Sequence, residues 1–86
     1  MRSQLLAARA AALFASDLPA GSRPSAALVE ATIAASVRTC GGTRGCVAAL
    51  AAAYGDYPET AVARMRWARS VVQGVYEPSP DMVLAA

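Results

Sequence analysis

Three breaks marked by glycine or proline divide this chain of 86 residues into four short segments. Pro19 and Gly21 form the first break, Gly41 and Gly42 the second, and Gly55 the third. Apolar residues recur within each segment at helical spacing, and nowhere do they alternate with the period of two typical of a strand. The sequence therefore predicts an all-α fold, a small orthogonal or up-down bundle of about four helices, at residues 3–16, 25–39, 44–54 and 57–76.

The spacing of apolar residues also predicts which side of each helix is buried. Residues three and four positions apart share one face of a helix, and the apolar face turns toward the core. In chain order the four predicted faces are Leu6, Ala10, Leu13 and Phe14; Val29, Ile33, Val37 and Cys40; Cys46, Val47, Leu50, Ala51 and Tyr54; and Ala61, Met65, Ala68, Val72 and Tyr76, flanked by Val62 and Val75. We expect one helical domain over 1–76 and a flexible or docking tail over 77–86.

Several residues have the types and positions of helix caps. Ser22 or Ser25 is expected to cap the second helix with its side-chain oxygen. Gly55 is expected just past the end of the third helix, in the left-handed conformation that glycine tolerates. Asp56 and Glu59 have the spacing of a capping box for the fourth helix.

The apolar content overstates the size of the core. Apolar residues make up 56% of the chain, but Ala supplies 22 of them, and an Ala side chain buries little area. A single core is also near its lower size limit in a chain of this length. We therefore expect a marginal monomer that is completed by a second copy or by another partner, and homo-oligomerisation is the favoured form.

The basic residues are of one type. All eight are Arg and none is Lys, and the formal net charge is only +2. Together with the abundance of Ala and Gly, this bias is typical of a high-G+C bacterial genome. Arg enrichment alone therefore does not indicate nucleic-acid binding.

The sequence lacks the residues of the common catalytic and metal sites. Because it contains no His, Ser-His and Cys-His nucleophiles are excluded, and two Cys cannot supply the four ligands of a zinc site. The six acidic residues are scattered and offer no inward-facing pair. We predict that the chain is not an enzyme and binds no metal or cofactor. Cys40 and Cys46 are either two ordinary thiols or a redox-responsive pair.

The length of the apolar runs bears on location. No run approaches the roughly 18 uncharged residues of a membrane span. We therefore expect no membrane association and a cytoplasmic location.

The stretch from Val47 to Val62 resembles the helix-turn-helix superfamily of DNA-binding proteins. Leu50 and Ala51 precede Gly55 by five and four positions, as an apolar and a small residue precede the turn glycine of that motif. Pro58-Glu59-Thr60 matches the sequence that often opens its second helix. The resemblance implies a DNA-binding regulator of transcription whose last helix enters the major groove.

The resemblance also implies a set of contact residues. The exposed positions near the start of the last helix would face bases, and neighbouring Arg side chains would bind phosphate or guanine. The implied DNA- or partner-binding residues are Arg44, Tyr57, Thr60, Ala63, Arg64, Arg66, Trp67 and Arg69.

Trp67 supports a different hypothesis. It points almost opposite Met65, away from the main apolar stripe of the last helix. Either the N-terminal helix covers this side and Trp67 is core, or Trp67 is an exposed anchor flanked by Arg64 and Val71. Trp and Arg are favoured at interface hot spots. The alternative function is therefore a protein–protein interaction module or homodimeric helical adaptor, and the choice between DNA and protein stays open.

Overall fold

The structure is a computed structural model that describes residues 2–76. Four helices fill this range: α1 Arg2–Phe14, α2 Ala26–Cys40, α3 Thr43–Asp56 and α4 Pro58–Tyr76. The described range contains no strand. The prediction of a small all-α bundle of four helices is confirmed, and the predicted tail over 77–86 lies outside the described residues.

All four helices pack against one another, and α1 is the central element because its contacts with the other three are the most extensive. Its last five residues, Ala10 to Phe14, are all buried. The spacing of apolar residues predicted Ala10, Leu13 and Phe14 but not Ala11 and Ala12. This C-terminal part of α1 is enclosed on every side and has no polar face, so periodicity cannot mark its buried residues. The small Ala side chains let the neighbouring helices approach closely.

The other helices bury a narrower side than their apolar spacing predicted. Val29 of α2, Cys46 of α3 and Val72 of α4 are fully enclosed, as expected. The expectation for Val47 and Ala51 is wrong, since both are exposed. The inward side of α3 is formed by Cys46, Leu50 and Ala53. Val47 and Ala51 lie outside this side.

The ends of α2 follow the predicted cap chemistry. The backbone N–H of Leu28 donates to Oγ of Ser25 over 3.2 Å, so Ser25 is the cap. At the other end Gly41 is left-handed, with φ of 79°. Its N–H donates to the carbonyl of Arg38 at 3.2 Å, and that of Gly42 donates to Val37 at 2.8 Å. These two bonds form a Schellman motif. Its left-handed position favours Gly, because a positive φ is strained for other residues.

The corner between α3 and α4 differs from the prediction. Gly55 is helical and lies inside α3, which continues to Asp56, so the expected left-handed cap at Gly55 is wrong. The expected capping box is also wrong, because Tyr57 rather than Asp56 directly precedes α4. The reason is Pro58. A proline disfavours the helical conformation in the residue before it, and Tyr57 accordingly has φ of −139° and ψ of 65°.

Candidate interaction surface on α4

Helix α4 has three distinguishable sides. The inner side carries Ala61, Ala68 and Val72, which are buried against the other helices. A second side faces the segment that joins α1 to α2, residues 15–25, called here the α1–α2 loop. The third side faces outward. Six of the eight predicted contact residues lie on α4, whereas Arg44 lies on α3 and Tyr57 directly precedes α4.

Arg64 lies on the side that faces the α1–α2 loop. Its Nε donates to the carbonyl oxygen of Phe14 and its Nη2 to that of Ser16, each over 2.8 Å. These carbonyls lie at the C-terminal end of α1, where backbone acceptors lack helical partners and a positive charge is favourable. Burial lowers the pKa of Arg64, and the nearby Asp17 carboxylate opposes that shift. Two of its donors are therefore used within the chain.

Trp67 is held by the same loop. Its indole Nε1–H donates to the carbonyl oxygen of Ser22 over 2.8 Å, and the ring is half-buried against the core. The guanidinium carbon of Arg64 lies 5.0 Å from the centre of the indole ring, within cation–π range. Trp67 is thus closer to the core interpretation than to the exposed anchor. The α1–α2 loop provides hydrogen bonds on this side of Trp67.

The outward side of α4 carries a polar stripe. Its members succeed one another at spacings of three and four residues, and all are exposed. They are Glu59, Val62, Arg66, Arg69 and Gln73, called here the outward stripe. At 100° per residue, the centre of the stripe lies about 120° around the helix from the buried side formed by Ala61, Ala68 and Val72. It has the periodicity with which one helix faces another in a coiled coil.

The structure leaves the remaining predicted contact residues accessible. Tyr57, at 70% exposure, is the most exposed large apolar residue of the described chain. Thr60 and Ala63 on α4 and Arg44 on α3 are exposed as well. Six of the eight predicted residues are therefore accessible, and Arg64 and Trp67 are tied into the fold. The predicted set did not include Val62 and Gln73, although helical spacing places them on the same side of α4 as Arg66 and Arg69.

A groove with apolar walls opens beside the outward stripe. It has a volume of about 400 Å³ and runs between α1, α3 and α4. Leu6, Leu50 and Met65 line it, and Tyr54 and Arg69 bring polar ends to it. Arg69 therefore belongs both to the outward stripe and to this groove.

The described residues bring no metal-ligand cluster together. No three side chains among His, Cys, Asp and Glu in this range are placed to hold an ion. None of the four helices is long and apolar enough to cross a membrane.

Comparison with known proteins gives no match. No protein-family model, curated protein or solved structure is significantly similar to the chain.

Proposed function

We propose that this protein is a small non-catalytic bacterial regulator that acts by macromolecular binding, with the outward stripe of α4 as its contact surface for a partner protein. The observation that carries the proposal is the difference between the two sides of α4. Arg64 bonds to the end of α1 and to the α1–α2 loop, and Trp67 bonds to that loop, whereas Arg66 and Arg69 are exposed. Exposed Arg side chains can pair with carboxylates of a partner, and Arg is enriched at protein interfaces.

A second copy of the chain is the partner that the charges of the stripe favour. Glu59 and Arg66 are exposed and seven residues apart, or about 10.5 Å along the helix axis. If two α4 helices pair antiparallel about a two-fold axis near Val62, Glu59 of each copy lies opposite Arg66 of the other. Val62, which is 40% exposed, would lie at the centre of the pair. The stripe is therefore complementary to itself.

The small core supports self-association. Half of the ten buried apolar residues of the described chain are Ala, so the hydrophobic stabilisation of a single copy is modest. Pairing through α4 would add burial of Val62. A side chain of the partner that enters the adjoining groove would contact Leu6, Leu50 and Met65 and lie beside Arg69.

DNA binding is the second candidate. It is favoured by the exposure of Arg44, Arg66 and Arg69 together with Tyr57 and Thr60. The charge balance favours it less. Among the described side chains, the exposed Arg residues outnumber the exposed acidic residues by only one. Affinity for duplex DNA rises with the number of phosphates that a protein neutralises, so a balanced surface suits a protein partner better.

The proposal can be tested by reversing single charges and measuring self-association by sedimentation equilibrium. In Glu59→Arg and in Arg66→Glu, both attractive pairs across the two-fold axis become repulsive. An exposed pair contributes up to about 1 kcal/mol, so we expect the dimer dissociation constant to rise on the order of tenfold. Arg44→Glu makes the same change of charge on α3 and is the matched control, which should associate as the wild type does.

A parallel titration with a fluorescent 24-base-pair duplex at about 50 mM salt separates the two candidates. Under the DNA hypothesis Arg44→Glu and Arg66→Glu both weaken duplex binding, and self-association need not change. Under the proposed function the duplex is not bound, and Arg66→Glu but not Arg44→Glu weakens the dimer. A wild-type chain that stays monomeric at millimolar concentration contradicts pairing through α4.

A further inference from the structure

The corner between α2 and α3 brings two thiols together. Cys40 is the last residue of α2 and is half-buried, whereas Cys46, in the first turn of α3, is fully buried. The Cys46 thiol donates to the carbonyl oxygen of Ser36, with its Sγ 3.6 Å from that oxygen. Cys40 packs against the buried cluster that Cys46 forms with Ala11 and Ala12. Both cysteines are free thiols.

Gly45 makes this close approach possible. A Cβ atom at residue 45 would lie 3.2 Å from the Cβ of Cys40 and would collide with the backbone carbonyl of Cys40. The first turn of α3 can therefore pack against the end of α2 only because residue 45 has no side chain. The neighbouring residue, Cys46, is thereby held beside Cys40.

We propose that Cys40 and Cys46 form a reversible dithiol–disulfide site that is oxidised by exchange with a low-molecular-weight disulfide of the glutathione type. The Cys40 thiolate attacks one sulfur of the small disulfide, a mixed disulfide forms, and one small thiol leaves with a proton. The Cys46 thiolate then attacks Sγ of Cys40, and the second small thiol leaves. Two protein thiols are oxidised to one disulfide, and one small disulfide is reduced to two thiols. This site is independent of the outward stripe.

The placement of the two thiols sets the order of these steps. Cys40 is partly accessible and meets the small disulfide first, whereas Cys46 is buried with Ala11 and Ala12, and Cys40 packs against that cluster. Burial, together with the contact to Cys40, raises the pKa of Cys46 to about 11. Since the thiolate is the nucleophile, the second step should accelerate as pH rises from 7 toward 10. Exchange of the first thiol should leave a mixed disulfide at Cys40 when Cys46 is absent.

The experiment equilibrates the folded wild-type chain with mixtures of reduced and oxidised glutathione and follows the products by intact mass. The expected product is an intramolecular disulfide, seen as a loss of two hydrogen atoms. Cys46→Ser should stop at a glutathione adduct on Cys40, and Cys40→Ser should stay largely unmodified because Cys46 is buried. The proposal is overturned if the wild type accumulates the glutathione adduct without closing the disulfide, or if neither thiol reacts in the folded chain.

A second measurement does not depend on the folding of either variant. The same equilibration of the wild type in urea gives the tendency of the unfolded chain to form this disulfide. If the fold holds the thiols in place, the equilibrium constant for disulfide formation should be on the order of tenfold or more larger in the folded chain than in urea. Such a factor is within the range by which disulfides stabilise native states. Equal or weaker formation in the folded chain contradicts a built site.

Discussion

Arg64 and Arg66 are two positions apart on α4, yet their surroundings differ. Arg64 donates two hydrogen bonds to carbonyls at the C-terminal end of α1, whereas Arg66 is exposed on the outward stripe. A helix turns by about 200° over two residues, so the rotation of α4 alone places one Arg against the fold and leaves the other exposed. Composition does not distinguish an Arg that is bonded within the fold from an exposed one; the position on the helix does.

Arg9 shows that the structural use of Arg extends beyond α4. Its guanidinium carbon lies 3.7 Å from the centre of the Tyr76 ring, so it joins α1 to the end of α4. Arg9 and Arg64 therefore stabilise contacts within the fold, whereas Arg66 and Arg69 on the outward stripe are exposed.

The largest expected effect on the side facing the loop belongs to Trp67→Ala. This change removes a half-buried aromatic ring and its hydrogen bond to Ser22. We expect the free energy of unfolding to fall by about 2–4 kcal/mol, somewhat below the loss for a fully buried aromatic residue. Urea denaturation measures it, with Gln73→Ala on the outward stripe as the control. A loss below about 0.5 kcal/mol would show that the loop does not hold this side of α4.

Arg64→Ala and Arg66→Ala form the closest matched pair. Removing Arg64 leaves the carbonyls of Phe14 and Ser16 without their donor, and we expect a loss of about 1–3 kcal/mol in the free energy of unfolding. Arg66→Ala should change stability by no more than about 0.5 kcal/mol. Thermal and urea unfolding of both variants check the difference. Equal losses would mean that the two sides of α4 are not distinct.

The smallest expected effect concerns the corner that sets the direction of α4. Because Gly55 is helical and a side chain added there meets no atom within 4 Å, Gly55→Ala should stabilise the protein by about 0.5–1 kcal/mol. Gly41, at φ of 79°, provides the contrast, since Gly41→Ala should destabilise. Destabilisation by Gly55→Ala would instead indicate a turn at Gly55, as the helix-turn-helix resemblance implies. The outward stripe would then face a different direction.

The number of helices and most of their bounds could be predicted because the signals are local. Apolar spacing within α2 and the Gly41–Gly42 pair depend on residues a few positions apart. The burial of Ala11 and Ala12 could not be predicted, because it depends on α1 being surrounded by helices that come later in the chain. At the α3–α4 corner two signals compete, and Pro58 rather than Gly55 ends α3, since a proline restricts its predecessor whereas a glycine only permits a turn.

The candidate site was harder to predict than the fold. Arg64 bonds to Phe14 and Ser16, which lie 50 and 48 positions earlier in the chain. No pattern within α4 reveals such a contact. The outward position of Arg66 could be predicted from the sequence, because helical spacing places it opposite Ala61 and Ala68.

The most direct test of pairing through α4 mixes the two charge-reversed variants. Each variant alone places like charges opposite one another across the two-fold axis. In a mixed pair of Glu59→Arg and Arg66→Glu, opposite charges face one another at both contacts. Position 59 of the first variant is basic and faces the acidic position 66 of the second, and Arg66 of the first faces Glu59 of the second. Sedimentation equilibrium of an equimolar mixture should therefore recover a dimer of near wild-type affinity from two chains that associate weakly alone. A mixture that associates no more tightly than its components would contradict the account.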